Sequence, residues 1–103
     1  MLKQVDAVKK ANIYFDGKVT SRTLIQGDGS KVTLGFMLAG EYTFGTKEAE
    51  LMTVLQGEMT VLLPGENDWR TIAEGEEFSV PKNSEFQVKV KKYVDYSCCY
   101  LAE

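Results

Sequence analysis

The chain has 103 residues, 44% of them apolar and 26% charged, with a formal net charge of −3 and a pI near 5.0. That length predicts one domain, residues 1–103, with enough apolar content for a single core and an ordinary solvated surface. The acidic balance argues against a polyanion-binding face, and hence against nucleic acid as a partner, while leaving a mononucleoside or a single phosphate open.

In chain order, "MLKQVDAVKKANIYF" contains no unbroken apolar run, which speaks against a secretory signal or a membrane span. Residues 3–10 carry a helical period and predict a short N-terminal turn or helix. Residues 1–13 read as an N-terminal extension and 14–101 as the body of the domain. From there nearly every segment alternates with the two-residue period of a strand. "GKVTSRTLIQ" passes through "GDGS" into "KVTLGFML", and Asp28-Gly29 is a hairpin signal. Gly40 predicts the end of that strand, with "EYTF" starting another. "ELMTVLQGEMTVLLP" reads as two strands folded at Gly57, followed by "DWRTI", "EFSVP", "SEFQVKV" and "YVDYSCCYLA". Pro64 and Pro81 fall at strand ends, where the missing amide costs no ladder bond. Eight or more short strands in about 90 residues predict an all-β sandwich or barrel.

Cysteine usage is limited to the adjacent Cys98 and Cys99. Neighbouring thiols cannot staple distant parts of a fold, so a reducing, cytoplasmic setting and ordinary strand packing are the expectation. No histidine occurs anywhere in the chain. A catalytic transition-metal site needs three His, Cys or carboxylate ligands and an open position, and the sequence supplies too few, so no metal is expected.

Within "GEEFSVPKNSEFQV" (75–88), Gly75, Pro81 and Asn83 resemble the second conserved box of the cupin β-barrels, with Phe86 standing where a ligating histidine belongs. Glu50 and Gly57 resemble the end of the first box, whose histidine places hold Phe44 and Thr46, or Thr43 and Gly45. More specific are "YFDGKV" (14–19), "GEYTFGTKEAELMTVLQGEMTVLLPGENDW" (40–69), "FSVPKNSEFQVKV" (78–90) and "DYSCCYL" (95–101). Together they look like the small single-domain, histidine-free cupins known as pyrimidine/purine nucleoside phosphorylases, from about Tyr14 to Leu101. The first hairpin, "TSRTLIQGDGSK", does not match well.

The resemblance implies a small jelly-roll type β-barrel. It also implies phosphorolysis of both purine and pyrimidine ribonucleosides to ribose 1-phosphate and free base, a pentosyl transfer with inorganic phosphate as co-substrate and no cofactor. Such a reaction passes through a ribosyl cation-like transition state. It needs a phosphate site, a sugar clamp, a proton donor for the departing base and exclusion of water. For catalysis the candidates are Glu50, which occupies the inward acidic position of the cupin frame, with Glu41 and Tyr42. A carboxylate can hold ribose hydroxyls, stabilise positive charge at the anomeric carbon, or donate a proton if burial raises its pKa. For substrate binding they are Lys18 and Lys31 as cations, Glu48 and Glu85 as carboxylates, and Phe44 and Phe86 as an aromatic wall for a base. Lys18 falls in the matched "YFDGKV", and Arg22 and Lys82 are further cations. Trp69, Tyr96 and Tyr100 read as packing or subunit contacts. A non-enzymatic barrel binding a sugar or nucleoside is the competing reading, favoured by the lack of an acid–base pair containing histidine. A homodimer is expected, because an unpaired apolar edge strand invites cover.

Overall fold

The computed structural model describes residues 1–101. Its strands are β1 (Asp6–Ala7), β2 (Asn12–Tyr14), β3 (Val19–Ile25), β4 (Lys31–Thr46), β5 (Ala49–Gly57), β6 (Met59–Leu62), β7 (Arg70–Ile72), β8 (Glu77–Val80) and β9 (Ser84–Leu101), with a single 3-10 turn at Phe15–Gly17. The fold is all-β, as predicted. The N-terminal helix does not form: Asp6 and Ala7 pair with Ile25 and Leu24, and residues 12–14 add to the same edge of β3. Eight residues are too few to sustain a helix in water, and an open strand edge satisfies their backbone instead.

Two predicted pairs of strands are each one continuous strand. β4 runs through Gly40 without a break, and β9 joins "SEFQVKV" to "YVDYSCCYL". They pair antiparallel from Val32↔Cys99 to Thr46↔Ser84, with one bulge: Ala39 on β4 faces both Lys91 and Lys92 on β9. A bulge bends the strand and shifts its phase by one residue. Accordingly β4 buries Thr33, Gly35 and Met37 before the bend but Tyr42 and Thr46 after it. The Tyr42 hydroxyl donates to the Leu38 carbonyl at 2.7 Å, tying down the bend from the inside.

The bend folds the sheet onto itself. The first half of β4 and the second half of β9 lie with β3 and β5, and β8 pairs with β5 beyond. The other halves lie with β6, which carries β7. The outermost strands of the path β1-β3-β4-β9-β5-β8 do not pair with one another, so the molecule is an open, folded sheet rather than a sealed cylinder. Inside, Met59, Val61, Leu63, Ile72, Val88 and Val90 pack one end solid, while the other end is hollow. Met52, Val54, Met59 and Val61 are all buried.

Two turns follow the sequence signals closely. At Asp28-Gly29 the Gly29 amide donates to the Gln26 carbonyl at 2.9 Å, with Gly29 at φ +86°. At Gly57, φ is +79° and a Cβ would stand 2.5 Å from the Tyr93 carbonyl oxygen. Gly57→Ala is therefore expected to lower unfolding free energy by about 2 kcal/mol or more, from left-handed strain together with the backbone clash. Chemical denaturation checks this, and a loss under about 0.5 kcal/mol would contradict it.

Candidate active site

Three adjacent rungs of the sheet build the hollow end. Ser21 faces Gly35, which faces Tyr96; Thr33 faces Cys98, which faces Met52; Tyr100 faces Glu50. Residues two apart on a strand share a face, so these side chains all point inward. They enclose a cavity of about 130 Å3 lined by Ser21, Thr33, Glu50, Tyr96, Cys98 and Tyr100. Opposite them stand Phe44 and Phe86, paired across the strands with ring centroids 5.6 Å apart and ring planes inclined by 29°. Gly35 makes the floor possible. A Cβ there would lie 2.4 Å from the Tyr96 ring, so only glycine lets that ring sit down against β4.

The cavity opens into a mouth of about 400 Å3, where Glu50, Tyr14, Thr33 and Tyr100 continue the wall and Lys31, Lys47 and Glu48 form the rim. Asn12, from β2, reaches in and donates to Ser21 Oγ at 3.1 Å and to Thr23 Oγ1 at 3.0 Å. The Lys31 ammonium stands 5.3 Å from the centre of the Tyr100 ring, a cation–π distance that brings its charge to the mouth. On the far side, Thr46 Oγ1 donates to the Pro81 carbonyl at 2.7 Å and accepts from the Ser84 amide at 3.0 Å. These bonds anchor the turn that carries Lys82.

Electrostatically, Glu50 is the distinctive group. Burial pushes its carboxyl above the ordinary glutamate range, the Cys98 thiol beside it draws the value back down, and the negative charge of Glu48 raises it again. The Cys98 thiol and the Tyr96 and Tyr100 hydroxyls are all raised, chiefly by burial, and so remain protonated donors at neutral pH. Tyr100, Cys98 and Glu50 line the same wall with Thr33, so protonated groups stand beside the inward carboxylate of the cavity.

The structure brings Glu50, Phe44 and Phe86 to the cavity and Lys31 and Glu48 to its mouth. It does not bring the others there. Tyr42 is buried in the core with its hydroxyl spent on the Leu38 carbonyl. Glu41 lies on the outer face opposite Lys89, whose ammonium covers the Trp69 ring at 4.0 Å. Glu85 alternates with inward Phe86 and therefore points outward. Lys18 is exposed just before β3 and lines neither the cavity nor its mouth, though the neighbouring Val19 pairs with the cavity residues Tyr14 and Met37. Arg22 is exposed and donates to the Lys9 carbonyl. Among the described residues no three carboxylate or thiol side chains converge in a way that could hold a metal ion.

A family model described as pyrimidine/purine nucleoside phosphorylase matches residues 9–100. The chain belongs to that family. A relative from Citrifermentans bemidjiense with the same name is 61% identical over 94% of this chain and 94% of its own. Among solved structures, a protein of unknown function from Acinetobacter sp. ADP1 superposes with a TM-score of 0.95 at 33% identity, covering 98% of each chain. A cupin-2 domain from Rhodospirillum rubrum aligns over all of this chain and 73% of its own, with a TM-score of 0.71 at 17% identity. The fold is therefore cupin-like.

Sequence reasoning missed Tyr96, Tyr100, Cys98, Ser21, Thr33 and Asn12 as wall residues of this family member's cavity. One signal was available: 96, 98 and 100 share a strand phase, so an inward Tyr96 places Cys98 and Tyr100 on the same wall. The Glu50 environment gives a signed expectation. A carboxyl with a folded pKa above its unfolded value favours the fold while protonated, and that contribution is lost as pH rises through the raised value. Glu50→Gln should therefore raise thermal stability relative to the parent more at neutral than at acid pH, as read by melting curves. An offset equal at both would contradict it.

Proposed function

We propose that the chain is a broad-specificity nucleoside phosphorylase, a pentosyltransferase that cleaves purine and pyrimidine ribonucleosides with inorganic phosphate. The observation that supports this reading best is the position of Glu50 at the seam between a hydroxyl-rich cavity and a lysine-rimmed mouth, in a chain of this family. In the reaction a phosphate oxygen bonds to C1′ as the C1′–N bond breaks. The bonding pair leaves with the base, which takes up a proton.

Each demand has a group to meet it. Lys31 and Lys47 at the mouth supply positive charge for phosphate. Glu50, protonated by virtue of its raised pKa, gives its proton to the departing base, and the carboxylate it becomes stabilises the positive charge that builds on the sugar. The tyrosines, still protonated at neutral pH, donate to sugar or base oxygens. Phe44 and Phe86 exclude water from the inner wall. No cofactor beyond phosphate enters this scheme. A histidine-free ligand supply makes a resident zinc or iron chemically unsuited to it.

A homodimer and a cytoplasmic setting complete the reading. Leu34, Phe36, Leu38 and Tyr93 are 39–48% exposed on one outer face, where the Phe36 and Tyr93 rings stack at 5.6 Å. A continuous apolar patch of this kind suits a two-fold contact with a second copy. Cys98 and Cys99 are free thiols, as a reducing compartment maintains.

Purified protein is expected to release uracil from uridine and hypoxanthine from inosine only when phosphate is present, with ribose 1-phosphate as co-product. No turnover with either nucleoside across pH and phosphate concentration would reject the phosphorylase in favour of a binding-only barrel. Lys31→Ala should raise the KM for phosphate roughly tenfold while leaving the melting temperature unchanged. A change confined to the KM for nucleoside would remove Lys31 from the phosphate site.

A further inference from the structure

We infer that the smaller, inner part of the cavity takes the pentose of the substrate and that the base stays in the roomier mouth. This rests on the phosphorylase reading above and orients the substrate within that site. At about 130 Å3 the inner chamber falls below the roughly 300–1,000 Å3 of pockets that swallow a small ligand whole. The adjoining mouth, at about 400 Å3, is the roomier part. A nucleoside is therefore divided between the two compartments.

The linings decide which part goes where. The chamber presents fixed polar groups: the Ser21 hydroxyl and Tyr96 phenol deep inside, and the Thr33, Tyr100 and Glu50 groups that it shares with the mouth. Tyr96 is held by its seat over Gly35, and Ser21 by the bond from Asn12. A rigid set of donors and acceptors accepts one pattern, and a ligand that leaves such groups unpaired is rejected strongly. Purines and pyrimidines differ in ring number, in size and in the layout of their hydrogen-bonding groups. The pentose is what all ribonucleosides share, and its hydroxyls can both donate and accept.

Phe44 and Phe86 add a flat wall for the C–H face of a furanose. The rim of the mouth, by contrast, is made of exposed Lys31, Lys47 and Glu48. Nothing there measures the size of a base. With the sugar inside, C1′ comes to the seam beside Glu50, next to the lysines that attract phosphate. Indifference to the base thus follows from holding the constant part and leaving the variable part outside.

The test uses Gly35→Ala, whose added methyl pushes the Tyr96 ring into the chamber, and the intact parent protein. For a pentose chamber, kcat/KM should fall at least about tenfold for uridine and inosine alike, their ratio moving less than about threefold. A larger loss for inosine than for uridine, in proportion to base size, would overturn the proposal. Independently of turnover and of that variant's folding, amide resonances of the isotopically labelled parent are followed on titration. D-ribose 1-phosphate should shift Gly35, Tyr96 and Cys98, while hypoxanthine shifts only residues of the mouth such as Lys47 and Glu48. Hypoxanthine shifting Gly35, Tyr96 and Cys98, or ribose 1-phosphate leaving them unmoved, would overturn it. A parent protein that releases no base at all sinks the phosphorylase reading, and the resonance shifts still decide which compartment admits the sugar.

Discussion

The antiparallel ladder between β4 and β9 is the constraint on which the rest of the molecule depends. It runs the length of both strands, and its one irregularity, at Ala39 opposite Lys91 and Lys92, turns a flat pairing into a fold with an inside. Every other main strand takes its place from it: β3 on one flank, β5 and then β8 on the other, β6 and β7 on the second half. Because a slip of one residue would exchange inner and outer faces, the register that buries Tyr96 and Cys98 also fixes Glu50 beside them. Geometry at the site is inherited from the ladder rather than from loops.

Much of the architecture was legible in the strand period. The turns at Asp28-Gly29 and Gly57 were legible too, because their chemistry is local. The continuity of β4 and β9 was not. The parity of inward residues on β4 changes between Met37 and Tyr42, which in the sequence looks like one strand ending and another beginning. Only the partner strand, 50 residues away, reveals a bulge instead. The short N-terminal strands were lost for a related reason, since two or three residues acquire strand geometry only by pairing with β3.

For the site, the cupin frame located Glu50 and the aromatic pair Phe44 and Phe86. The dominant error elsewhere was to weigh charge by proximity in sequence. Glu41 and Glu85 are adjacent to inward residues and for that reason point outward, as alternation requires. The terminal tyrosines were undervalued because large aromatics are usually packing. Here a glycine on the facing strand, Gly35, leaves Tyr96 room to act as a floor rather than a plug. That relation spans two strands and cannot be read from either alone. The outcome is a cavity with one inward carboxylate, several protonated hydroxyls and peripheral cations, in which Phe86 supplies part of an apolar wall.

The two ends of the interior differ in kind, one filled with aliphatic side chains and the other hollow and polar. Exchanging Ser21 or Thr33 at the hollow end therefore removes less aliphatic packing than truncating Met59, Val61 or Val88 at the filled one, and the hollow end tolerates new side chains better.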